Sequence, residues 1–118
     1  MIRKGRTMEI KFKSSENLDK RSMYIHTRGR AISLKDVEDG TVLDPLEIVV
    51  YTDTNSKGEE QTITSVITTD GKHYATNSRF FREELGNIFN LFAPEPFKVK
   101  VCKEISKGGR TFITCELV

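Results

Sequence analysis

Two hydrophobic periods divide this chain, and the point where one replaces the other constrains its fold more than any other feature. Before residue 78 the apolar residues recur mainly at every second position; from Ser78 they recur every three to four, so that Phe81, Leu85, Ile88, Phe89 and Phe92 fall on one stripe. Period two sends alternate side chains to opposite faces of a strand, whereas the longer period builds one face of a helix. The pattern therefore predicts a mainly β chain with one α-helix, at about residues 78–92, ahead of a C-terminal hairpin.

Met8 to Lys13 alternates strictly, with Met8, Ile10 and Phe12 on one face. Arg21 to Arg28 reads as a second strand, Met23 and Ile25 pointing one way and Tyr24, His26 and Arg28 the other. Ser33 to Gly40 suits a short helical turn closed by Asp39-Gly40, after which a strand restarts at Thr41. Leu46 to Thr52 and Glu59 to Thr69 are β-branched and apolar and face each other across a polar turn, and Asp70-Gly71 marks a tight turn. Asn77 or Ser78 caps the helix, and Ala93-Pro94 stops it.

The closing hairpin runs from Phe97 to Ile105 and from Arg110 to Val118. A three-residue loop, Lys107-Gly108-Gly109, turns Phe97, Val99, Val101 and Ile105 to the same face as Ile113, Cys115 and Leu117, which is the expected core. Lys98, Lys100, Cys102 and Glu104 then share the opposite face with Phe112, Thr114 and Glu116.

A chain of 118 residues makes one domain, and 31% charged with 36% hydrophobic residues describes an ordered, soluble one. We expect a basic, flexible segment at residues 1–7 and a single nucleic-acid-binding domain at 8–118. No apolar run reaches membrane-spanning length, and no secretory apolar block follows the basic start, so a cytosolic protein is expected. Cys102 and Cys115 read as reduced thiols, too few for a disulfide scaffold or a zinc site.

Charge is distributed unevenly. Residues 1–30 hold nine Lys/Arg against three Asp/Glu, residues 31–96 hold five against twelve, and residues 97–118 hold five against two. If the basic ends meet in the fold, they form one positive surface.

Single-stranded nucleic acid needs cations that follow its phosphates and flat side chains on which unpaired bases stack. The candidates are Tyr24, His26 and Arg28 with Arg30 just beyond, Lys98 and Lys100 beside Phe112, and Lys107 and Arg110 at the hairpin tip. Tyr51 and Tyr74 are expected to pack rather than bind. Catalytic motifs are missing: there is no phosphate-binding glycine loop and no His-Glu-x-x-His, and the adjacent pairs Glu59-Glu60 and Glu83-Glu84 do not converge on one point. Neither a metal nor any cofactor is expected, and no enzymatic role.

Four stretches, in order, carry a family resemblance: Leu34-Lys35-Asp36-Val37-Glu38-Asp39-Gly40-Thr41, Asp70-Gly71-Lys72-His73-Tyr74-Ala75, Pro96-Phe97-Lys98-Val99-Lys100-Val101 and Ser106-Lys107-Gly108-Gly109-Arg110-Thr111-Phe112. Through them the chain resembles the single-stranded DNA-binding proteins of small tailed bacteriophages, notably those of protein-primed Bacillus phages. The resemblance implies an OB-like small β-barrel that coats and protects single-stranded DNA during phage DNA replication, in the cytoplasm of an infected bacterial host. It also implies phage replication proteins as further partners and a monomer or small homo-oligomer. Two rival readings predict different surfaces: a phage factor that docks on a host protein through an exposed sheet edge, and an RNA-binding β-barrel.

Overall fold

The computed structural model describes residues 8–118, and the basic segment 1–7 lies outside the described residues. In chain order the elements are β1 (Glu9–Lys13), α1 (Lys20–Arg28), β2 (Ile32–Ser33), a 3-10 turn (Leu34–Asp36), β3 (Val42–Leu43), β4 (Pro45–Thr54), β5 (Glu60–Thr68), β6 (His73–Thr76), α2 (Arg79–Phe92), β7 (Val99–Ile105) and β8 (Thr111–Leu117). They form a five-stranded sheet, β1-β4-β5-β6-β2, and a three-stranded sheet, β3-β7-β8. Only the β2–β6 pair is parallel. The two sheets are separate hydrogen-bonded units, so among the described residues no continuous ladder closes them into the expected barrel.

The mainly β reading and the late helix hold. Ser78 caps α2 by accepting from the Phe81 N–H, and the helix turns Phe81, Leu85 and Ile88 into the core. Burying each such side chain contributes about 1.5–3 kcal/mol. These three meet Ile48, Val66 and Tyr74 of the large sheet and Val99, Val101, Ile113 and Cys115 of the small one, so a single core joins both sheets. Phe12 of β1 reaches the same core, edge-on to Phe89 at 5.2 Å.

The hairpin has the predicted register, Val101 opposite Cys115 and Glu104 opposite Phe112. Gly109 adopts φ +80°, a conformation that favours glycine, and closes the three-residue loop. The core face is shorter than expected: Ile105 and Leu117 are 75% and 45% exposed, because the ribbon ends run past the helix turn that covers residues 113–115.

One element is corrected. Residues 21–28 form a helix, not a strand, so the described residues hold two α-helices where one was expected. Asp19 caps α1 by accepting from the Ser22 N–H at 2.8 Å. Met23, His26 and Thr27, at helical spacing, are its inward side. The helix ends where the Gly29 N–H returns to the Ile25 carbonyl at 2.9 Å, and a Cβ at Gly29 would lie 2.5 Å from that oxygen. The alternation read in this stretch was therefore coincidental.

Candidate nucleic-acid interface

The helix redistributes the first group of candidates. Tyr24 is 65% exposed on the outer side of α1, and Arg28 and Arg30 are exposed at and beyond its last turn. His26 is 1% exposed and faces the sheet, so it is not a surface contact. The expected single face of Tyr24, His26 and Arg28 does not exist.

His26 belongs to a buried polar chain instead. Its Nε2 lies 3.0 Å from Glu47 Oε1 and its Nδ1 2.7 Å from Ser65 Oγ, while the same hydroxyl lies 2.7 Å from His73 Nε2. With Glu47 ionised, Nε2–H of His26 donates to it, the Ser65 hydroxyl donates to Nδ1, and Nε2–H of His73 donates to the serine oxygen. Among the described residues Nδ1 of His73 has no partner of hydrogen-bonding geometry. Burial holds the His26 imidazole below its ordinary value, against the pull of Glu47. Burial also lowers His73, helped by the neighbouring His26 and opposed by the Arg30 backbone. The Glu–His–Ser order is familiar from acyl-transfer sites, but Ser65 is fully buried and no substrate reaches it. This network fastens α1 to the sheet.

The second group lies along one hairpin ribbon. Lys98 is exposed just ahead of β7, and Lys100 is paired with Glu116 at 3.4 Å. Phe112 sits four ladder positions from Lys100, about 13 Å along the ribbon, so these cations flank the ring at a distance. Lys107 and Arg110 are exposed at the tip, next to Thr111.

Phe112 has other company. Its ring lies 4.8 Å from Phe80, centroid to centroid and tilted by 48°, and Phe80 is 51% exposed. The two rings stand in a cleft of about 400 Å³ between the end of β6, the first turn of α2 and the hairpin, with Lys35, Lys103 and Arg79 also lining it. Lys103 Nζ donates to the Lys35 carbonyl at 2.9 Å, which draws both lysines to one wall. Arg79 pairs with Glu83 at 3.0 Å on the surface, a contact worth little and readily exchanged for a phosphate. Among the described residues Lys35, Lys103, Lys107 and Arg110 make no ion pair.

Sequence reasoning missed Lys35, Arg79, Phe80 and Lys103. Phe80 did carry a signal, as an aromatic residue one position off the α2 core stripe. So did Lys103, a cation at an alternation position that belongs to the inward face.

A second groove of similar size, about 430 Å³, lies elsewhere, between Pro45–Leu46, Phe89 and the 93–97 segment. Among the described residues its charged lining residues are Asp44 and Glu95, with no cation. Among the described residues the first cleft is thus cationic and the second acidic.

A family model described as "Phage Single-stranded DNA-binding protein" matches residues 7–118. The single-stranded DNA-binding protein of Bacillus phage phi29 is 30% identical over 95 residues, covering 75% of this chain and 77% of the relative. Its counterpart from Bacillus phage PZA matches to the same extent, and that of Bacillus phage B103 is 35% identical over 92 residues, covering 73% and 75%. No solved structure matches the chain.

Proposed function

Because the chain belongs to the family of phage single-stranded DNA-binding proteins, we propose that it binds single-stranded DNA through the Phe80–Phe112 cleft. Bases stack on the two rings, while Lys35, Lys103 and Arg79 neutralise the adjoining phosphates and Lys107 and Arg110 extend the positive surface at the hairpin tip. Every base offers a π-face, so recognition is largely independent of sequence. Tyr24, Arg28, Arg30, Lys98 and Lys100 are peripheral contacts in this reading. The carrying observation is the close pair of rings beside Lys35 and Lys103, which make no ion pair among the described residues.

In the same reading residues 8–118 are one binding unit without a catalytic role, acting as a monomer or small homo-oligomer. It coats displaced strands during phage replication in the cytoplasm of the infected bacterium, alongside the phage replication proteins. We read its two sheets as an opened barrel of the OB type; their shared core and the helix ahead of the closing hairpin support this.

The test is fluorescence anisotropy with labelled oligo-dT, and duplex and RNA of equal length as competitors. Phe112→Ala and Phe80→Ala should each weaken binding about ten- to a hundredfold, the size of one lost stacking contact, with an unchanged circular dichroism spectrum. Full affinity in both folded variants would overturn the cleft as the site.

A further inference from the structure

Resting on the single-strand reading above, we infer that the bound strand does not end in the cleft but crosses the end of β6 into a second hollow on the large sheet. That hollow, about 250 Å³, is lined by Ser33, Gln61, Ile63 and Ala75 together with Lys35, Thr76 and Asn77. The last three also line the aromatic cleft, so the two depressions adjoin at these residues, of which Asn77 is exposed.

The chemistry of the second hollow suits a continuing strand. Lys35 borders both depressions and has no carboxylate partner among the described residues, so its ammonium can serve a phosphate passing from one to the other. Ile63 and Ala75, both half-buried, give an apolar floor for the flat side of a base. The side-chain amides of Asn77 and Gln61 make no hydrogen bond among the described residues and can meet base edges or phosphate oxygens. Asp53 is the cross-strand neighbour of Gln61 in the β4–β5 ladder. Beyond the hollow, β2 leads back to the exposed Arg30 and Arg28. The path thus has the Lys107–Arg110 tip at one end and the end of α1 at the other, which connects the two cationic groups that the sequence presents separately.

A charge placed in the hollow tests the path. Wild type, Gln61→Glu, Gln61→Lys and a control, Asn90→Asp on the exposed side of α2, are titrated with oligo-dT of about 3 to about 12 nucleotides. The expected result is a three- to tenfold loss with Gln61→Glu and a comparable gain with Gln61→Lys, both confined to the longer oligomers, and no change with Asn90→Asp. Equal effects at all lengths, or equal effects of the control, would mean bulk electrostatics and would overturn the path; so would no effect at any length. Failure of the wild type to bind any oligomer would overturn the single-strand reading instead.

Discussion

Ser65 is a single hydroxyl shared by two imidazoles, and this makes it costly to remove. Replacing it with alanine leaves Nδ1 of His26 and Nε2 of His73 buried without partners, and Ser65→Ala should lower stability by about 1–3 kcal/mol in urea denaturation. The same site sets a pH dependence. Both imidazoles titrate below the ordinary 6.5 when folded. As pH falls through that value, the unfolded chain takes up protons before the folded one does, so stability decreases. The contribution is complete above 6.5, is lost toward the depressed folded values, and below them the slope vanishes. Melting temperature should therefore decline between about pH 7.5 and about pH 5.5, and a flat profile in that window would refute the network as a determinant of stability. Asp19 and Asp70 act in a separate window. Hydrogen bonds from Ser22 and Thr68 hold them below 3.8, so their contribution is present above that value and fades only in stronger acid.

Of the two described α-helices, α1 is the more weakly fixed by apolar packing, since its only fully buried side chain is His26. Its cap then matters more than it would on a helix with an apolar stripe. Asp19→Ala should cost about 1 kcal/mol, seen as faster amide exchange across Met23–Thr27 while oligonucleotide affinity at the cleft is unchanged. The weakness also explains why this element was misread. Strong stripes advertise themselves: Phe81, Leu85 and Ile88 specify α2, and the alternation of Val99, Val101, Ile113 and Cys115 specifies the register of the hairpin. Arg21–Arg28 has no such stripe, and its informative residues are the flanking ones, Asp19 and Gly29. The interface divides in the same manner. Phe112, Lys107 and Arg110 were legible because hairpin register alone positions them. Lys35 and Phe80 come to the same cleft only through the packing of the 3-10 turn and α2 against β7 and β8, which no local pattern encodes.

Over the whole molecule, about 46 × 38 × 22 Å, charge is sorted by place as well as by sequence. The aromatic cleft is lined by cations and the groove beside Phe97 by carboxylates. If three to five cations each displace a counterion, log K should fall with log salt at a slope of about −2 to −3.5, and Lys103→Gln should make it shallower by about 0.7. Titrations across a salt series read both values, and an unchanged slope for Lys103→Gln would remove that lysine from the phosphate path. No helix among the described residues is long and apolar enough to cross a membrane. The Ser78 hydroxyl, finally, does two jobs at once: it caps α2 and donates to the Ile113 carbonyl of β8. It thereby ties the turn of α2 that carries Phe80 to the strand that carries Phe112, and the two rings already touch, 4.8 Å apart, before any strand arrives. A strand laid on such a preformed surface has little protein left to organise, so loading and shedding should run at the tempo of diffusion and salt.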